Sequence, residues 1–120
     1  MSGQAETSPV EIRAPKGARL LEIVWSDGST SLYEHRVLRA FCPCAHCQGH
    51  QGPVQWLDEA DELPDAALEL EDLFEVGSYA LGLRFGDGHA TGIYTFRYLK
   101  KLGEAYDLPR EQQKSLTYDR

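Results

Sequence analysis

A chain of 120 residues, 42% hydrophobic and 26% charged, has material for one compact core and little more. Nineteen acidic against twelve basic residues give a formal charge of -7, which argues against nucleic acid as a partner, because that affinity rests on Lys and Arg neutralising phosphates. Apolar runs of only a few residues and a polar, acidic start after Met1 predict neither a membrane span nor a secretory leader, so the expected compartment is the cytoplasm.

In chain order, residues 1–9 are polar and without periodicity and are expected to be a flexible segment. Leu20 to Trp25 reads as a strand, Asp27-Gly28 as a hairpin turn and Thr30 to Tyr33 as the return strand. His35 to Phe41 fits a short helix with Val37, Leu38 and Phe41 facing inward, leading directly into a cluster of cysteines. Gln48 to Trp56, with Gly49, Gly52 and Pro53, reads as a loop, and Val54, Trp56 and Leu57 make it a candidate apolar contact for a second copy or another protein, with a core role for Trp56 the equal alternative.

Asp58 to Glu75 carries nine acidic residues, and no Lys or Arg occurs between Arg39 and Arg84, a pattern expected of a solvated face. Within it Leu68, Leu70, Phe74 and Val76 share one parity, predicting a half-buried strand. Tyr79 to Phe85, then Gly86-Asp87-Gly88, then His89 to Phe96 predict a second hairpin. Tyr98 to Tyr106 has helical spacing with Pro109 as its stop, and residues 109–120 read as a flexible tail. The fold class is thus α+β: a small, mainly antiparallel β domain of hairpins over residues 10–108, with a short helix before the cysteines and a C-terminal helix.

All three cysteines fall in Phe41-Cys42-Pro43-Cys44-Ala45-His46-Cys47. A disulfide scaffold would disperse and pair them, whereas clustered thiols suit a thiophilic ion. Cys44 and Cys47 have the C-x2-C spacing of a zinc knuckle, and Pro43 biases Cys42 toward extended chain, from which it can converge with Cys44. Zinc asks for a fourth donor. His50 is locally feasible, and His89 follows a turn that could carry it back; their spacing leaves the two tied, with His46 expected to point away and His35 the weakest candidate. An iron-sulfur cluster is the alternative occupant. A thioredoxin-type pair is disfavoured because Cys42 crowds Cys44 and Cys47 without a βαβ context. A closed three-Cys, one-His shell would be structural, while an open fourth position would permit metal transfer or a small metal-dependent enzyme. No H-E-x-x-H, G-x-S-x-G, Walker A or G-x-G-x-x-G sequence is present.

Three separated stretches carry a resemblance: Leu38 to Cys47, Val76 to Leu81, and Asp87 to Leu99. Together they resemble the gamma-butyrobetaine hydroxylase-like N-terminal domain family, formerly a domain of unknown function. The resemblance implies Zn2+ bound by Cys42, Cys44, Cys47 and His89, which resolves the tie against His50. In the hydroxylases the oxygenase chemistry belongs to a following iron and 2-oxoglutarate domain with a His-x-Asp motif, and none of the four histidines here begins such a triplet. The family also includes short bacterial proteins and domains attached to P-loop ATPases of iron-sulfur cluster handling. The resemblance therefore implies an accessory or interaction module with a protein partner, such as an iron-sulfur or oxidoreductase component, and leaves a homodimer open.

Overall fold

The computed structural model describes residues 7–49 and 52–119. The first sheet has the order β1-β2-β3, from β1 (Pro9–Arg13), β2 (Leu20–Trp25) and β3 (Thr30–Glu34). Strands β2 and β3 form the expected hairpin, with Gly28 at φ 89° and the Asp27 carboxylate accepting from the Ser29 amide at 2.9 Å. Alternation along β2 sends Leu21, Ile23 and Trp25 into the core. Strand β1 has no counterpart in the sequence reading: its burial pattern does not alternate, and a register shift interrupts its pairing with β2.

Helix α1 (His35–Ala40) follows β3 without a break and buries Val37, Leu38 and Ala40. One turn of helix, α2 (Ala45–Gln48), then precedes β4 (Val54–Gln55). The acidic stretch holds a 3-10 segment (Asp58–Glu62) and α3 (Asp65–Leu68) before the second sheet, β5-β6-β7, made of β5 (Leu70–Val76), β6 (Ala80–Phe85) and β7 (Ile93–Thr95). Leu81, Leu83 and Phe85 of β6 face the same core as β2, α1 and α4 (Phe96–Gly103). The architecture is the antiparallel α+β domain expected, with short helices among small sheets.

Three details differ from expectation. The shared parity of Leu70, Phe74 and Val76 fails because a register shift between Leu70 and Asp72 places Leu73 opposite Leu83; Phe74 turns outward, 41% exposed, with its ring over Gly82. The return strand after the second turn begins at Ile93 rather than His89. Helix α4 ends at Gly103, where a side chain would collide with Ser31, and Pro109 precedes a further helix instead of ending this one.

That helix, α5 (Arg110–Lys114), and the strand β8 (Thr117–Tyr118) correct the expectation of a flexible tail over 109–120. Strand β8 pairs with β4, and the Tyr118 ring meets Phe41 and Tyr98 edge-on at 5.2 and 5.8 Å. Arg110 and Lys114 place their charges over the Trp56 ring at 5.3 and 5.5 Å. Val54 and Trp56 are consequently buried and Leu57 is half-buried, so the loop proposed as an apolar contact is largely core. Residues 1–6 of the expected N-terminal segment lie outside the described residues, while Ser8 and Pro9 are already engaged with Ser26 and Trp25.

The exit from α1 is fixed from outside. Its last carbonyls would otherwise be left without partners in the core. The Tyr94 hydroxyl donates to the Leu38 carbonyl and the Tyr98 hydroxyl to that of Phe41, both at 2.6 Å, while the Leu57 amide donates to Ala40 at 2.9 Å. Tyr94→Phe or Tyr98→Phe leaves a buried acceptor unsatisfied and is expected to lower unfolding stability by about 1–3 kcal/mol each. Thermal and urea melts check this, a loss near zero showing that the hydroxyls do not hold the helix end.

Candidate metal centre

Cys42 lies two residues beyond α1, where the capped helix end holds it fully buried. After Cys44 the chain turns tightly into α2, with the amides of Cys47 and Gln48 both donating to the Cys44 carbonyl at 3.1 and 3.0 Å. This local turn brings Cys47 back toward Cys44, as the C-x2-C spacing requires. His89 arrives from the second sheet, just past the turn closed by the Gly88 amide on the Phe85 carbonyl at 2.8 Å.

Its Nε2 stands 3.3 Å from Cys42 Sγ and 3.5 Å from Cys47 Sγ. The ligand atoms of Cys42, Cys44, Cys47 and His89 all lie within 4.8 Å of one another. A tetrahedral ion at ordinary zinc distances separates sulfur from nitrogen by about 3.6 Å and sulfur from sulfur by about 3.8 Å, so the four donors fit one such ion. Of the other histidines, His35 is buried in the first turn of α1, 3.9 Å from Glu69, and stands outside this group. His50 lies outside the described residues, as does the side chain of His46.

The surroundings make the three thiols unequal. Burial pushes the Cys42 thiol up to about 11, and Cys47 is also raised, by burial and then by the neighbouring Cys42. Burial acts in the same direction on Cys44, but it is outweighed by the Thr91 hydroxyl, 3.1 Å from Sγ, and by the Cys47 amide, so this thiol is the one held low. Closing four donors on a cation is what would let the two raised thiols ionise.

Several residues that sequence reasoning passed over hold the centre. Arg39 of α1 forms a two-pronged ion pair with Asp87, at 2.9 and 2.7 Å, and stacks 5.2 Å above the Phe85 ring. Asp87 also accepts from the His89 amide at 3.2 Å. The pair thus ties the helix before the cysteines to the turn before the histidine. Gly92 approaches so closely that a Cβ there would stand 2.7 Å from Cys42 Sγ and 2.9 Å from the Tyr94 ring. Nothing local announces Arg39 or Asp87, since 48 residues separate them. The glycines after Phe85, Gly86, Gly88 and Gly92, are a sequence signal for turns and close packing, but they do not show against what the chain packs.

Fold and site together define a small α+β domain with a three-Cys, one-His group suited to a metal ion. The chain belongs to the gamma-butyrobetaine hydroxylase-like N-terminal family, whose sequence model matches residues 12–100. It is similar to a crystal structure of a protein of unknown function of the DUF971 family from Acidithiobacillus ferrooxidans, at 37% identity over 78% of this chain and 90% of that one, with a TM-score of 0.58. Two proteins solved in solution by NMR also match. One is 28% identical, with 88% of this chain and 80% of that one covered and a TM-score of 0.64. The other, at 24% identity and a TM-score of 0.69 over 94% and 81%, shares the fold.

Two outcomes are expected. Gly92→Ala should displace Cys42 and Thr91→Val should remove the donor to Cys44, each weakening metal affinity by roughly 10–100-fold in a chelator competition. Because Cys42 and Cys47 are both protonated at neutral pH, binding must expel at least two protons, so affinity should climb by roughly two decades per pH unit near pH 7. Calorimetry in buffers of different ionisation enthalpy measures the proton count, and a count below two contradicts the assignment.

Proposed function

We propose that the chain is a zinc-stabilised, non-catalytic accessory or interaction domain. The observation that carries this reading is the convergence of three thiols and one imidazole, from segments more than forty residues apart, into a group whose four donor atoms lie within 4.8 Å of one another, the number a tetrahedral ion takes. Soft thiolates with one imidazole suit zinc, and a filled shell leaves no site for water or substrate. Bound there, zinc would supply folding energy by joining the cysteine turn to the second sheet, and Cys42, Cys44, Cys47 and His89 would hold it.

A protein partner, such as an oxidoreductase or iron-sulfur component, is part of the same proposal. The surface that supports it is the outer face of the second sheet, where Phe74, Gly82 and Ile93 form one cross-strand row and Phe74 and Ile93 are 41% and 47% exposed. Glu71, Asp72 and Glu75 line the adjoining edge strand β5, and their like charges disfavour a second copy pairing along it, so a hetero-partner is preferred to a homodimer. Among the described residues no helix is long and apolar enough to cross a membrane. The compartment proposed is the cytoplasm, where reduced thiols persist.

The deciding experiment is elemental analysis of anaerobically purified protein and of His89→Ala, with a thermal melt of each. The expected result is one zinc per parent chain, with the substitution lowering metal retention and melting temperature together. Iron with acid-labile sulfide would replace this reading with cluster handling. Zinc held equally well without His89 would show an incomplete protein shell and make an open metal position the better account.

A further inference from the structure

The four donors are not equally enclosed. Cys42 is fully buried, with Gly92 and Tyr94 packed against it, and Cys44 is backed by Thr91. Cys47 and His89, by contrast, line a cleft of about 230 Å3 whose other walls are Arg39, Leu57, Glu59, Ala60 and Leu63. One water needs only roughly 10–15 Å3 of such space, so a side-chain-sized group fits.

The cleft also has a charge preference. Arg39 is its basic residue, and Asp87 already neutralises that guanidinium with two hydrogen bonds. Glu59 is exposed and adds a carboxylate. Three thiolates around a divalent ion leave the centre itself with a net negative charge. An anionic donor approaching it would meet repulsion, and an uncharged one would not.

We infer that a metal at this site is exchanged through the cleft along the Cys47–His89 edge, and that the cleft admits an uncharged nitrogen donor from another molecule in preference to an anionic one. The inference rests on the metal reading above and deepens it by naming the route and the chemistry of the exchange partner. Four-coordinate zinc can pass through five-coordination, so a donor can attach before a protein ligand leaves. For a nitrogen donor the exchange balances simply. An incoming lone pair would form a new metal–nitrogen bond as the bond to His89 Nε2 broke, and the imidazole would keep its lone pair and remain neutral. No proton or electron is transferred.

The test uses the full chain loaded with cobalt(II), whose thiolate absorption reports metal loss, with 1,10-phenanthroline as the uncharged probe and EDTA as the polyanionic one. Metal loss is expected to be first order in phenanthroline and at least about tenfold slower in EDTA at equal concentration. Leu63→Trp, which fills the cleft, should slow the phenanthroline reaction by about tenfold while equilibrium affinity is unchanged, because entry and exit slow together. Glu59→Lys, at an exposed position, should accelerate loss to EDTA at low salt and lose that advantage at high salt. A rate independent of chelator identity and concentration overturns the inference, as does a rate indifferent to both substitutions. A chain that takes up no stoichiometric cobalt or zinc overturns the metal reading and this inference together, whereas a loaded chain that sheds metal only by spontaneous dissociation overturns the inference alone.

Discussion

The constraint on which this structure depends is the placement of His89 Nε2 within 3.3 Å of Cys42 Sγ across 47 residues of sequence. Thiols so close together repel one another when ionised, and a cation with a fourth donor relieves that repulsion. What brings the histidine there is largely one continuous stretch. Residues 89–98 supply the imidazole of His89, the hydroxyl of Thr91 on Cys44, the space left by Gly92 beside Cys42, and the hydroxyls of Tyr94 and Tyr98 on the last carbonyls of α1. This stretch therefore acts as a mould for residues 38–47: it ends the helix, sets the first thiol and brings the fourth potential donor beside the three cysteines. Arg39 and Asp87 lock the two together at the surface side, where a bidentate pair adds orientation that a single contact would not.

Much of this was legible where the signal is local. The first hairpin reads from Asp27-Gly28 between alternating strands, α1 from its apolar spacing, and the cysteine turn from C-x2-C. The choice of His89 over His50 was not local. It rests on what the family resemblance implies, because spacing alone cannot say which distant turn folds back. The tail was missed for a different reason: α5 and β8 attach through charges over Trp56, through Arg110 to Glu34, and through the buried Gln113 side chain donating to Ala105 at 2.9 Å. Hydrophobic periodicity detects none of these. The shifted register at β5 is likewise invisible in a parity count, since a one-residue offset reverses which side chains face the core.

The acidic stretch shows why a composition reading can be right in kind and incomplete in use. Glu59, Glu71, Asp72 and Glu75 face solvent as expected. Other acids in the same run are fastened to remote segments: Asp61 to Lys114, Asp65 to Arg19 and Arg36, and Glu69 to Arg19 and the Gly17 amide. With no basic residue of its own, the stretch must find its counter-ions elsewhere in the chain, and doing so draws the N-terminal loop, α1 and α5 toward one side of the domain. Exposed pairs of this kind are individually weak. Their distribution matters more than their number, because each joins elements that no strand pairing connects.

The centre has one closed wall and one open edge, and these govern different quantities. Buried Cys42, with Gly92 against it, belongs to every state in which the fold is intact, so it bears on how tightly an ion is held. Cys47 and His89 border the cleft and therefore bear on how fast an ion can be reached. Affinity and exchange rate are separable whenever a change alters the barrier without altering either end state. A domain built this way can depend on its metal for stability and still surrender it to a suitable donor, so a structural role and an accessory role in metal handling need not exclude one another. The donor set would govern the first role, and the chemistry of what fits the cleft lined by Leu63 and His89 would govern the second.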